Sequence, residues 1–310
     1  NTGDPMTVAA QIEKLRERFG LQTVVLVGDR GMLTAARIRQ DMAPIEGLEW
    51  ITALRGPAVR RLVNSGALQL SLFDAQDLGE ITDPNYPGER LIVCRNPLLA
   101  DERARTRLAL LDATDVLLTK IQAATQRTYR PLRGRDTIGM RVGTVLNRYK
   151  VGKHFEIEIT DDSLTCTRCY ERIDREAALD GLYVIRTSLT ADALSADDVV
   201  RSYKSLAVVE RAFRRMKTVD LDVRPINHRR ENRVRAHVFL CMLACYVEWH
   251  MRRDLAPLLF QDEQRAEAEA HRPSVVAPAP RSDSATAKDR TKRTRDGHTV
   301  QSFRDLLRDL

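Results

Sequence analysis

Hydrophobic positions in this chain change period along its length, and the changes mark out elements. Val8, Ile12, Leu15 and Phe19 recur every three or four residues and predict a first helix, with Asp4 as its N-cap and Pro5 at its first position. The continuous apolar run at 23–28 predicts a fully buried strand. A second helix is expected over 35–42 and a strand over 48–56, so the first 55 residues alternate α-β-α-β, as in an α/β sheet.

Beyond residue 56 the texture changes. A short helix is expected near 58–64, a strand at 90–95, and a long charged helix over 98–128 with Leu108, Leu111, Val116 and Ile121 on one side. Segments 154–161 and 163–172 alternate polar and apolar residues, which suits half-exposed antiparallel strands. A strand follows at 180–188. Ser195 and Asp198 have capping-box spacing and open a helix expected over 197–217. The next helix, 229–253, repeats Val234, Val238, Cys241, Met242, Cys245, Tyr246 and Trp249 at helical spacing, so Cys241, Cys245 and Trp249 read as core. The Pro-, Ala-, Ser- and charge-rich stretch 262–297 reads as disordered, and 302–310 as a short amphipathic helix. The implied organisation is a core segment over 1–56, an inserted region over 57–180, the rest of the core over 181–258, a linker over 259–300 and a terminal helix over 301–310.

Charge and cysteine usage narrow the function classes. Fifty Lys and Arg against 43 Asp and Glu give a net charge of +7, compatible with a polyanionic partner. Five cysteines, an odd number in a chain of 310 residues, make no disulfide framework and point to a reducing, cytoplasmic setting. Cys166-x-x-Cys169 lacks a second pair at ligand spacing and reads as strand residues rather than a zinc site. No apolar run reaches the length of a membrane span, and there is no signal peptide. The chain starts at Asn1 inside structured sequence, so its beginning is expected to lie upstream. Neither a Gly-x-Gly-x-x-Gly loop nor a Walker A loop is present.

Two acids stand out. Asp29 ends the 23–28 run between Gly28 and Gly31. An Asp there is either a turn former or, at the carboxyl end of a strand in an open sheet, part of a ligand site that flanking glycines leave approachable. Glu210 shares a helix face with Tyr203, Leu206, Phe213 and Lys217, beside Val199, Val209 and Met216. Burying a lone carboxylate is costly, so Glu210 either pairs with Arg214 or points into a polar site. Acids from a strand end and a helix together suggest a site for Mg²⁺, a hard cation that prefers oxygen ligands. Arginines between Arg211 and Arg235 outnumber the nearby acids Asp220, Asp222 and Glu231. His228 and His237 have no partner at ligand spacing and read as polar or capping residues.

"VVLVGDRGM" at 24–32, with Tyr203, Glu210 and Lys217 spaced as Tyr-x6-Glu-x6-Lys, resembles bacterial insertion-sequence DDE transposases of the IS-four superfamily. Leu206 stands where that signature has Arg. "NTGDP", "LDGLYVIRTS", "RPINHRRENRVRAHVFLC" and the terminal "SFRDLLRDL" are similar to the same family. The resemblance implies an RNase H-like catalytic core of α/β class, with a mixed α and β-rich insertion between the second and third acids. Asp29 would be the second acid and Glu210 the third, holding two Mg²⁺ or Mn²⁺ ions. Tyr203, Lys217, Arg214 and Arg30 would contact DNA phosphates. The reaction implied is strand cleavage and strand transfer on double-stranded DNA, in a homodimeric synaptic complex. The family's first Asp is not found, which leaves an inactive DNA-binding remnant as the alternative. An unrelated metal-dependent nuclease or phosphatase is a third reading.

Overall fold

The protein is described by a computed structural model over residues 8–74, 76–219, 223–270, 272 and 274–309. The expected Asp4–Pro5 cap, and Asp220 and Asp222, lie outside the described residues. The chain runs through α1 (Val8–Phe19), β1 (Val24–Val27), α2 (Ala35–Arg37, prolonged by a π turn over Ile38–Met42) and β2 (Leu48–Ala53). Next come α3 (Gly56–Asn64), β3 (Leu78–Ile81), β4 (Arg90–Arg95), α4 (Pro97–Thr125) and α5 (Arg135–Tyr149). They are followed by β5 (Phe155–Ile159), β6 (Leu164–Arg168), α6 (Tyr170–Ala177) and β7 (Leu182–Thr187). The last elements are α7 (Ala196–Arg214), α8 (Glu231–Asp254), α9 (Arg265–Ala270), α10 (Asp283–Thr291) and α11 (Phe303–Asp309).

Two compact units emerge, the first comprising residues 1–53, 88–90 and 185–310. Here β1 pairs in parallel with β2, from Val24 opposite Leu48 to Val27 opposite Ile51. β2 pairs antiparallel with the second half of β7, from Ile51 opposite Thr187 to Ala53 opposite Ile185. The sheet is therefore mixed. Val24 and Leu26 lean on a core of Val8, Ile12, Leu33, Ile38, Met42, Leu48 and Trp50. β1 is not the fully buried strand its sequence suggests: it is an edge strand, and Val25, on the opposite side of the pleat, is 40% exposed. Near β7, Arg186 and Glu89 form a buried ion pair, and the Arg90 guanidinium donates to the carbonyls of Leu189 and Leu194.

The stretch read as a linker instead carries helices and buried side chains. The Lys204 ammonium on α7 donates to the carbonyls of Val275 and Val276, both buried residues, and Ser282 caps α10 by accepting from the Ala285 amide. These are tertiary contacts that local polar composition does not reveal. α8 also departs from expectation. Its inward line is Val234, His237, Cys241, Cys245 and Glu248, while Met242, Tyr246 and Trp249 are more than half exposed. Trp249 is thus not core; it meets His250 edge-on and lies under the Arg253 guanidinium.

The second unit comprises residues 54–87 and 91–184. β3 and β4 pair antiparallel, from Leu78 opposite Cys94 to Ile81 opposite Leu91, and β7 flanks β4 on its other side. Leu54, Val59, Leu62, Phe73, Leu91 and Val93 pack into a core there. A separate β5–β6 hairpin, from Phe155 opposite Arg168 to Ile159 opposite Leu164, packs with α4 and α5 around Leu111, Leu118, Ile138, Val142 and Phe155. The buried face of α4 is Leu111, Thr114, Leu118, Ile121 and Thr125; Leu108 and Val116 are each 55% exposed, against expectation. The two-residue offset of 116 from 114 and 118 turns it outward on a helix. α5 has no counterpart in the sequence reading. Gly134, Gly139 and Gly143 dilute its helical pattern, and glycine is a weak helix former.

The strand expected to run to residue 172 stops at Arg168, whose guanidinium is held by Asp112 and Asp115 of α4. The Cys169 amide then donates to the His154 carbonyl and the chain turns into α6. Burial pushes the Cys166 thiol up to about 11, with Asp115 adding to the effect, so it stays protonated. Among the described residues no helix is long and apolar enough to cross a membrane.

Two stability predictions follow from this packing. Leu118→Ala should cost about 2–5 kcal/mol in chemical denaturation, while Leu108→Ala should stay within about 0.5 kcal/mol. The His154 ring is buried, with Nε2 3.0 Å from Glu176 Oε2. Burial lowers its pKa below the ordinary 6.5, against the opposing pull of Glu176. The unfolded chain then binds this proton more readily than the folded one. The His154 contribution should be complete above pH 6.5 and fall away as pH drops below it. Urea midpoints of wild type and His154→Gln across that window should diverge in slope, the variant being flatter.

Candidate active site at the end of β1

The strand end is shaped by backbone geometry. The Gly28 amide donates to the Ile51 carbonyl at 3.1 Å, prolonging the β1–β2 ladder by one bond. A Cβ on Gly28 would fall 2.7 Å from Leu33 Cγ and 2.9 Å from Met32 Cε, so the chain folds back too closely for a side chain there. Asp29 Oδ1 accepts from the amides of Gly31 (2.9 Å) and Met32 (2.6 Å), and the Asp29 carbonyl accepts from Met32 and Leu33. Asp29 is therefore a turn former, one of the two roles open to it from sequence. Both side-chain bonds go to Oδ1; the carboxylate is exposed and Oδ2 lies outside the turn.

α7 starts where expected. The Asp198 amide donates to Ser195 Oγ at 3.2 Å, and the Ser195 hydroxyl donates to Asp198 Oδ2 at 2.6 Å. The helix packs against β1 and β2, with Val199 and Val200 fully buried. Burial is confined to this first part. Tyr203 and Leu206 are half-buried, while Val209, Glu210 and Phe213 are exposed. The buried stripe expected around Glu210 is thus absent at that depth, and its carboxylate carries no burial cost that a salt bridge must offset.

Tyr203 is half-buried on α7. Its phenol pKa is raised from 10, first by burial; the charges of Asp29 and Glu210 raise it further and Arg30 opposes them. The strand-end acid, the helix acid and the Arg30 guanidinium all act on this one hydroxyl. The remaining two expected residues lie further along. Arg214 is the exposed last residue of α7. Lys217 falls beyond it on a π turn over Arg215–Val219, exposed, with Nζ 5.9 Å from the Phe213 ring centroid. The helix expected to reach 217 is α-helical only to 214, so the seven-residue step from Glu210 to Lys217 crosses a change of pitch. Single π turns inside helices recur at functional sites, but nothing in the hydrophobic pattern announces this one. His237 Nε2 sits 3.2 Å from the Val223 carbonyl, an ordinary polar contact.

Carboxylate oxygens such as those of Asp29 and Glu210 are the donors Mg²⁺ favours. The donor set fits a divalent cation in kind. In number it supplies two acids: among the described residues no group of three or more His, Cys, Asp and Glu stands ready to hold an ion.

This is a mixed α/β protein in which α7 packs against the strand that ends at Asp29. The family model of the transposase DDE domain matches residues 1–247, and the chain belongs to that family. No curated protein and no solved structure matches it. As a member the protein is a DDE transposase, an enzyme of DNA transposition that binds DNA, and such enzymes generally use divalent metal ions.

The electrostatics of Tyr203 are directly testable. In a ¹³C-tyrosine titration by NMR, Asp29→Asn and Glu210→Gln should each lower the Tyr203 pKa, and Arg30→Gln should raise it. Unchanged titration in both acid variants would mean that the two carboxylates do not share this hydroxyl.

Proposed function

We propose that this chain carries the catalytic core of an insertion-sequence transposase of the IS-four superfamily, with an RNase H-like fold in which Asp29 is the second catalytic acid and Glu210 the third. The observation that carries the reading is the packing of α7, the helix of Tyr203 and Glu210, against β1, the strand that ends at Asp29. The two carboxylates would hold Mg²⁺, or Mn²⁺, in a two-ion site. Bound ions would supply a lowered water pKa and stabilisation of charge on the attacked phosphodiester. The protein's own residues orient the strand. Arg30, Tyr203, Arg214 and Lys217 would engage backbone phosphates, which position DNA without reading sequence. Cleavage would release a 3′ hydroxyl at the transposon end, and that hydroxyl would attack target DNA. Holding two ends at once calls for a homodimer.

A second reading is supported by the two-acid count among the described residues: a DNA-binding relative that keeps the fold without cleaving. Mg²⁺-dependent cleavage of duplexes bearing the element's ends, measured with the full-length protein, separates the two. Under the catalytic reading, Asp29→Ala and Glu210→Ala should each reduce cleavage by about a thousandfold or more, since several kcal/mol of charge stabilisation is lost at about 1.4 kcal/mol per decade. End binding should persist in both. Retained cleavage by either variant removes that acid from the site. Lys217→Ala should lower the slope of log K against log salt by about one unit.

A further inference from the structure

The second unit contains a cavity of ≈ 540 Å³ whose wall is strongly cationic. Arg60 of α3, Lys153 just before β5, and Arg172 and Arg175 of α6 line it, with Glu176 as the one carboxylate and His154 as the one imidazole. Four cations against one acid leave an excess of three positive charges. The ion pairs that these cations make are weak ones. Arg172 lies 3.8 Å from Glu156, and Arg175 pairs with Glu171 one helical turn away, all four side chains being at least 51% exposed. Lys153 shares Glu176 with His154. Among the described residues the Arg60 guanidinium has no partner. Arg172 also donates to the Lys153 carbonyl at 3.3 Å. Exposed pairings of this kind yield to a stronger anion, and planar guanidinium groups match phosphate oxygens in pairs.

His154 lines the same cavity. The residue is 1% exposed, with its Nε2 engaged by Glu176 and its Nδ1 closed off from solvent. The cavity is roomy enough for a phosphate group with accompanying water.

We propose that this cavity seats a phosphate of the DNA backbone, making the second unit a phosphate-holding surface in its own right, served by Arg60, Lys153, Arg172 and Arg175. The proposal rests on the DNA-binding activity of the family and is independent of the assignment of Asp29 and Glu210. No bond is made or broken; the site positions the duplex.

The test uses the full-length protein and a fluorescent duplex, with binding followed by anisotropy from low to moderate salt. Arg60→Gln and Arg172→Gln keep much of the side-chain length and remove charge at exposed positions, so folding should survive; thermal unfolding checks this. Each should weaken binding about five- to tenfold at low salt and lower the salt slope by about one. Arg141→Gln, an exposed charge on α5 away from the cavity, should do neither. Inorganic phosphate titrated against protein with ¹⁵N-labelled histidine should shift the His154 signals in wild type and not in the Arg60→Gln, Arg172→Gln double variant. A phosphate-dependent shift with unaltered duplex binding in the variants would overturn the DNA assignment in favour of a free anion. No shift and no change in slope would overturn the site altogether. Retained cleavage by Asp29→Ala would sink the catalytic assignment while leaving these slopes untouched, so the two failures are distinguishable.

Discussion

Helix α7 lies against β1 and β2, and this contact decides what the first unit can do. Its two fully buried residues, Val199 and Val200, anchor only the opening turns. From that anchor Tyr203 reaches a half-buried position where the Asp29 turn comes close, and the helix carries Glu210 two turns further along the same face. A hydrophobic contact thus sets the separation of two charges from distant parts of the chain. The same contact explains why Glu210 stays wet: the helix leaves the packed layer before reaching it, so the carboxylate is not desolvated.

The second unit is organised by other means. Its hairpin is tied to α4 through Arg168 between Asp112 and Asp115, and the turn into β7 is tied to the same helix by Arg107 and Asp180. At Gly181 the chain passes so near α4 that a Cβ would fall 2.4 Å from the Asn96 carbonyl, and its φ of +74° is also one that favours glycine. These ties hold α6 and the segment before β5 in place, and with them the cations around His154. The first unit gathers acids on exposed side chains; the second gathers bases around a buried imidazole.

Much of this was legible from sequence where local pattern and tertiary role agree. β4 matches its expected bounds because a short apolar run in a buried strand has few alternative readings, and the Ser195 cap is a purely local device. Failures occur where partners matter. β1 has a core strand's composition but stands at a sheet edge. Leu108 and Val116 are apolar but face outward, because α4 buries a stripe that includes two threonines, Thr114 and Thr125. Thr114 satisfies its hydroxyl by donating to the Leu110 carbonyl, so polarity there does not forbid burial. The pairing of Asp29 with Glu210 rests on spacing and family likeness, and no sequence signal points to Tyr203 as a group that feels both charges. The cationic cavity was invisible, since Arg60, Lys153 and Arg172 belong to three segments with no shared motif.

The turn at Asp29 imposes an asymmetry between the two acids. One oxygen of this carboxylate closes a small ring with the amides of Gly31 and Met32, which leaves the other to face outward. A glutamate would keep the charge but is one methylene too long to close that ring. An asparagine would close it through its amide oxygen while carrying no charge. Position 29 therefore tolerates neither change without losing either shape or charge. Glu210, exposed on α7, is held by no comparable ring and keeps the freedom of an ordinary surface side chain.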